Sequence, residues 1–235
     1  VTSPVDAPAP SGLAARLSAI DERIAAAAQS AGRDPEEITR IVVTKFHPAS
    51  LVQELHGLGV RDVGENRQQE LSAKEGELEA LDLRWHFIGQ GQTNKAAAIR
   101  RSADVVHSVD RDRFADALHK AADDDDLLDV LVQINLTDDQ GRGGVVPADA
   151  VALAEHVLDL PSLRLRGVMA VAPLDEEPAS AFARLRDVAD AIRGVEPSAS
   201  WISAGMTGDF VEAIAAGATH LRIGSAITGP RPDRG

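Results

Sequence analysis

Short β-branched apolar runs alternate along this chain with longer stretches whose apolar residues return every third or fourth position. The runs fall at 41–46, 60–63, 84–89, 103–107, 128–135, 163–169, 199–203 and 219–223. A period of two, or a short continuous apolar run, marks a strand, and a return at three and four residues marks one face of a helix. Helices are predicted over 49–57, from Gly64-Glu65-Asn66 to about 79, from Gln92-Thr93-Asn94-Lys95 onward, and over 111–122, 148–158, 179–193 and 208–216. Ahead of them, residues 13–31 carry Leu13, Leu17, Ile20 and Ile24 at helical spacing, with Gly32 placed to end the helix. Asp34-Pro35-Glu36-Glu37 then supplies a cap, a first-turn proline and acidic side chains for a short turn before the first strand.

This alternation predicts an α/β chain, a single parallel (β/α)8 TIM barrel with an extra N-terminal helix, and the 235 residues agree with that size. A doubly wound open sheet is the structural competitor. No Gly-x-Gly-x-x-Gly follows the first strand, which counts against it. The expected layout is a flexible tail over 1–12, one barrel domain over 13–231, and a short tail over 232–235.

Charge narrows the partners. Against 24 Lys plus Arg stand 37 Asp plus Glu, a formal charge of −13, with no basic cluster, so nucleic acid is not expected while a local pocket for a small anion stays open. The chain has no cysteine and no tyrosine, which excludes disulfides, thiolate metal sites, a cysteine nucleophile and any phenolic acid or base from this subunit. Residues 1–12 lack the basic start and apolar core of a signal peptide, and no apolar run approaches the roughly 20 residues of a membrane-spanning helix. A soluble, cytoplasmic, monomeric protein is the expectation. The sequon Asn135-Leu136-Thr137 is read as chance, and the acidic run Asp123–Asp126 as a solvated turn with no metal.

In a barrel, ligands meet the C-terminal ends of the strands. Those ends here present Lys45, Gly64-Glu65-Asn66, His86 and Gly89, His107-Ser108, Asn135, Met169, Ser203-Ala204-Gly205-Met206-Thr207 and Arg222-Ile223-Gly224-Ser225. Ile41, Val43 and Lys45 share one strand face, and a lysine among apolar neighbours is a Schiff-base nucleophile if desolvated. On local sequence alone it reads instead as a lysine leaving its strand toward solvent. The loops after the seventh and eighth predicted strands, with Thr207 as an expected N-cap and Gly224-Ser225 following the last strand, occupy the places where barrels hold a phosphate. Alternation turns Arg222 into the barrel mouth, either toward a ligand or toward an internal carboxylate such as Glu65. An inward lysine, an inward arginine and a phosphate cradle together suggest a phosphorylated aldehyde cofactor, and pyridoxal 5′-phosphate (PLP) has both groups.

Val43-Thr44-Lys45, Gly64-Glu65-Asn66, Trp85-His86-Phe87-Ile88-Gly89 with Gln92-x-Asn94-Lys95, His107-Ser108-Val109-Asp110, Gln133-Ile134-Asn135, Arg166-Gly167-Val168-Met169-Ala170, Ser203-x-Gly205-Met206-Thr207-x-Asp209 and Arg222-Ile223-Gly224-Ser225-Ala226-Ile227-x-Gly229 resemble the pyridoxal phosphate homeostasis proteins, the YggS/PROSC group. These motifs run in order over about residues 13 to 231, nearly the whole chain. The resemblance implies a fold-type III PLP-binding barrel in which Lys45 forms the internal aldimine and Arg222 faces the pyridine nitrogen. It places Ser203, Gly205, Thr207, Gly224 and Ser225 around the phosphate, with Asn66 and Met206 close to the cofactor. The chain departs from the family pattern at Thr228, at Gln90-Gly91 and at Arg67, all expected near the rim.

More distantly, the same motifs resemble the barrel domain of alanine racemases. Racemization by two bases needs a partner opposite the lysine, which in those enzymes is a tyrosine; this chain has none, and the histidine substitute on offer, His86, reads as a hydrogen-bonded structural residue at a strand end. An arginine at the pyridine nitrogen keeps that nitrogen unprotonated and weakens the electron sink. The expected function is therefore to hold, buffer or deliver PLP in vitamin B6 homeostasis, with PLP-dependent apo-enzymes as recipients and no catalytic residue assigned. The alternatives are a fold-type III amino-acid racemase and, from another class, a lysine Schiff-base aldolase.

Overall fold

The structure is a computed structural model that describes residues 12–123, 126–139 and 141–231. Parallel strands β1 (Thr39–Val43), β2 (Asp62–Glu65), β3 (Arg84–Phe87), β4 (Val105–Val109), β5 (Leu128–Gln133), β6 (Leu163–Met169), β7 (Trp201–Ser203) and β8 (His220–Ile223) close into a barrel in chain order. β8 returns to β1 with Ile41 beside Arg222 and Val42 beside Ile223. That register brings the first and last strands together, so residues 45 and 222 meet at one mouth.

Helices α2 (Ala49–Gly57), α3 (Gln68–Glu77), α4 (Ala96–Ser102), α5 (Asp112–Lys120), α6 (Ala150–Leu158), α7 (Pro178–Val195) and α8 (Phe210–Ala215) form the outer ring, and α1 (Leu13–Ser30) precedes it. Each lays an apolar stripe on the outward strand residues, and these make one continuous core in which Val42, Val63, Phe87, Val106, Val130, Leu221 and Ile223 are buried. Inside the barrel lies a small apolar cluster, Val105, Leu131 and Met169, with Trp201 packed against them. Ile41 lies beside Arg222 on the inward face, and Val43 and Ile88 face the mouth; between these apolar groups the interior carries buried polar side chains, among them His86, His107, Ser203 and Arg222. α1 buries Leu13, Leu17, Ile20 and Ile24 as its spacing requires, packs on α8 and the short α9 (Ser225–Thr228), and donates Arg16 Nε to the Ile227 carbonyl at 2.7 Å.

Several elements differ from the expectation in extent. The first strand stops at Val43, so Thr44 to His47 form a turn rather than the end of a strand. The second strand is shifted to Asp62–Glu65, and Gly64 and Glu65 lie in it instead of opening a helix. Thr207 is not the cap of α8; Asp209 occupies that position, and its carboxylate accepts the Met206 N–H at 2.6 Å. Gly224-Ser225 opens α9, a helical turn that was not expected. Residues 1–11 and 232–235, read as tails, lie outside the described residues, as do Asp124 and Asp125. Asp126, read as solvated, pairs with Arg100 at 3.3 Å. The sequon Asn135 uses its amide within its own loop, donating to Asp139 and Arg142 and accepting from Thr137.

Candidate functional site

A cavity of about 480 Å³ opens at the C-terminal ends of the strands, a volume in the range that small-molecule sites occupy. Lys45, Asn66, Met206, Thr207, Arg222, Gly224 and Ser225 line it, together with Val43, Phe46, His47, Ile88 and Val171. Lys45 is half-buried in the turn after β1, and no ion pair to it is found among the described residues. The turn is tight: the His47 N–H reaches the Thr44 carbonyl at 3.1 Å, and Phe46 holds a left-handed φ of 69°, an uncommon state for a bulky side chain. Beneath it, Glu65 is fully buried and accepts from Thr44 Oγ1 at 2.6 Å and Lys74 Nζ at 2.5 Å. Burial pushes the Glu65 carboxyl up, with Lys74 working against the shift. This pairing rules out Glu65 as the partner of Arg222.

Arg222 is buried and donates to Ser203 Oγ at 2.7 Å and to the Ala170 carbonyl at 2.8 Å. No carboxylate lies within ion-pair distance of it among the described residues. Burial lowers its pKa to about 10, with Asp209 opposing, so the guanidinium remains charged at neutral pH.

Behind it a hydrogen-bonded column runs down the barrel. Ser203 Oγ meets His107 Nδ1 at 2.9 Å, His107 Nε2 meets His86 Nδ1 at 2.9 Å, and His86 Nε2 meets Asp62 at 2.9 Å. Burial holds both histidines below their ordinary pKa and so neutral, and neutrality fixes every proton. Asp62 accepts only, so His86 donates from Nε2 and accepts at Nδ1. His107 must then donate from Nε2 and accept at Nδ1, which makes the Ser203 hydroxyl its donor. Ser203 Oγ is thus both donor to His107 and acceptor from Arg222. His86 is a fully buried, hydrogen-bonded member of this column, in line with its structural reading; it does not line the cavity and cannot serve there as a second base.

Two of the residues expected around the phosphate are set back from this cavity. Neither Ser203 nor Gly205 lines the cavity. Gly205 adopts a φ of 92°, and a Cβ there would meet Ala213 Cβ at 2.8 Å and the Phe210 backbone at 3.0 Å, so the glycine lets the turn close on α8. Asn66 is held from the other side: a Cβ on Gly89 would fall 1.8 Å from the Asn66 carbonyl oxygen. His47 and Val171 were not anticipated. His47 lies two residues beyond Lys45 in the same turn, which was the available signal, and burial followed by the Lys74 charge lowers its pKa. Of the three departures from the family pattern, Arg67 stacks over the Phe46 ring at 5.3 Å and Thr228 lines the cavity, whereas Gln90 borders a separate depression with Gln92 and Lys95.

A closed parallel barrel carrying a lysine after its first strand and an arginine at the end of its last defines an alanine racemase-type barrel, and residues 15–232 match the family described as alanine racemase, N-terminal domain. Within that class the chain belongs to the pyridoxal phosphate homeostasis protein family. It is 42% identical over 225 residues to the protein of that name from Pseudomonas aeruginosa, covering 94% of this chain and 96% of the relative. To the Escherichia coli protein of that name it is 40% identical over 226 residues, covering 93% and 97%. Among solved structures it is similar to PipY of Synechococcus elongatus with PLP bound, at a TM-score of 0.82 and 32% identity, covering 93% of this chain and 100% of PipY. Alanine racemase from Corynebacterium glutamicum, at 16% identity and a TM-score of 0.67, shares the fold.

Proposed function

We propose that this chain binds PLP at the barrel mouth and serves to hold, buffer or deliver it in intracellular vitamin B6 homeostasis. The observation that carries the reading is the pairing of Lys45 with Arg222 in one cavity that has no carboxylate among its described lining residues. A buried cation without a counter-charge is costly unless an anion or a polar acceptor completes it. The residues fit PLP: an amine for its aldehyde, N–H donors for its phosphate and an arginine for its ring. When bound, PLP supplies an aldehyde carbon for the lysine amine and a ring that withdraws electrons.

Lys45 is the amine. Thr207, Gly208 and Ser225 contribute backbone N–H groups that have no acceptor among the described residues, which suits an anionic oxygen. Arg222, braced as a donor by Ser203 and Ala170, offers its remaining N–H groups to the ring nitrogen and keeps it unprotonated. Asn66, Met206 and Ile88 complete the walls. No helix among the described residues is long and apolar enough to cross a membrane, and we place the protein in the cytoplasm as a monomer, with PLP-dependent apo-enzymes as recipients.

A second reading, a residual racemase activity, rests on His47. It is the histidine lining the cavity, and a neutral imidazole accepts protons. One experiment separates the readings. Purified protein incubated with PLP is expected to show a visible absorption band, to lose it in Lys45→Ala, and to pass its PLP to an apo-enzyme without turning over amino acids. A colourless preparation sinks PLP binding; steady racemization lost in both Lys45→Ala and His47→Gln sinks the carrier role.

A further inference from the structure

We propose that α3 is a clamp on the lysine turn, and that Glu70 and Lys74 are positioning residues for Lys45. Neither side chain lines the cavity. Both grip the peptide groups flanking Lys45: Lys74 Nζ donates to the Thr44 carbonyl at 2.8 Å, and Glu70 accepts the Phe46 N–H at 2.9 Å. Glu70 and Lys74 are four residues apart on α3, the spacing that sets two side chains on one helix face.

The clamp has a reason to exist. β1 ends at Val43, so no strand ladder fixes Lys45, and Phe46 must be kept at a φ of 69°. A left-handed conformation at a bulky residue costs about 1–3 kcal/mol and persists only where its surroundings impose it. A charge-assisted hydrogen bond from the Phe46 N–H to the Glu70 carboxylate is of the size needed to do so. Lys74 is itself anchored by the buried Glu65 at 2.5 Å, and Thr44 Oγ1 bonds the same carboxylate at 2.6 Å, so the turn is tied to β2 as well as α3. Arg67 and Arg231 each lie over the Phe46 ring, at 5.3 and 4.4 Å from its centroid. Lys45 thus projects from a turn whose backbone is fixed on both sides.

The inference rests on Lys45 being the PLP-binding amine, and the test keeps the two claims apart. Glu70 is partly exposed, so truncating it opens no core. In Glu70→Ala, hydrogen exchange of the Phe46 amide in the unliganded chain, followed by NMR, is expected to quicken about tenfold. The rate at which PLP is trapped on Lys45 by borohydride is expected to fall several-fold. Glu70→Gln keeps an acceptor for the amide but loses the charge and the ion pair with Arg67 at 3.6 Å, and should fall between Glu70→Ala and the unaltered chain on both readouts. Unchanged exchange in Glu70→Ala, with normal trapping, overturns the clamp alone. Faster exchange with unchanged trapping overturns its role in positioning. Failure of the unaltered chain to trap PLP at Lys45 overturns the binding reading and the clamp's purpose together.

Discussion

The barrel is polar at both ends, and its two ends differ in how their charges are matched. At the foot, Asp129 is almost fully buried and receives Arg84 at 2.8 Å, Arg164 through its Nε, and Arg166 at 3.8 Å. Arg84 and Arg166 also stack on Trp201 at 4.9 and 4.3 Å. The cavity there is larger than the one at the mouth, about 800 against 480 Å³, yet four of its five arginines, Arg61, Arg84, Arg100 and Arg164, have a carboxylate partner, and the fifth, Arg101, is exposed to solvent. At the mouth, Lys45 and Arg222 have none among the described residues. Neither cavity size nor the density of cations marks the site; a buried cation left unmatched does.

Two substitutions break the comparison in opposite directions. Lys45→Ala is expected to abolish covalent capture of PLP while leaving unfolding within about 0.5 kcal/mol of the unaltered chain, since the side chain is half-buried and holds no structural partner. Mass spectrometry after borohydride reduction and urea titration check the two halves. Asp129→Asn should do the reverse. Removing the charge leaves its guanidiniums without a counter-ion, and because they are partly exposed the cost falls at the low end of that for a broken buried pair, about 3 kcal/mol, with capture at Lys45 preserved. Equal losses of stability in both variants would erase the distinction between mouth and foot.

The interior between the two ends responds to pH. His107 lies well below its ordinary pKa and His220 is lowered to about 3, in both cases chiefly by burial, whereas each titrates near 6.5 when unfolded. Below pH 6.5 the unfolded chain therefore binds protons that the folded chain refuses. The stability from neutral burial is complete above that pH and is lost as pH falls toward the folded values. Between pH 7.5 and 5.5 each histidine that stays neutral should cost about 1.4 kcal/mol. Urea midpoints across that range should fall, and His220→Gln should flatten the slope by one histidine's share. A slope unchanged in that variant would mean His220 takes up its proton in the fold.

Much of this was legible in the sequence, and the exceptions share a cause. The β6 limits at 163–169 and the α2 limits at 49–57 follow directly from apolar periodicity, and alternation along β8 correctly turned Arg222 inward. Periodicity failed at 44–46, where Thr44 and Phe46 continue the β-branched and aromatic pattern. There Glu70, Lys74 and Glu65, 20 or more residues away in sequence, bend the chain into a turn. Nor does periodicity report on Ser203, which looks like any small strand-end residue until His107, 96 positions earlier, accepts its hydrogen bond. Local pattern reports which face a residue occupies. Which partner has already engaged its polar atoms is decided by register across the barrel.

Ser203 and Ser225 test that last point with the smallest effects. Ser203 ends β7 and Ser225 follows β8, at the end of the barrel where phosphate is held, but Ser203 Oγ is engaged by Arg222 and His107, while Ser225 lines the cavity. The informative quantity is the affinity for PLP divided by that for pyridoxal, which lacks the phosphate. Ser225→Ala keeps the backbone N–H but removes the hydroxyl beside it in the cavity lining, and is expected to lower this ratio by about tenfold, the worth of one hydrogen bond to a charged group, with little change in unfolding. Ser203→Ala should leave the ratio within about twofold and instead cost about 1 kcal/mol of stability, because it strips a buried donor and acceptor of their partner. If Ser203→Ala moves the ratio as far as Ser225→Ala does, the column from Asp62 to Arg222 yields its last member to the ligand, and the boundary between barrel interior and mouth lies one residue deeper than the hydrogen bonds place it.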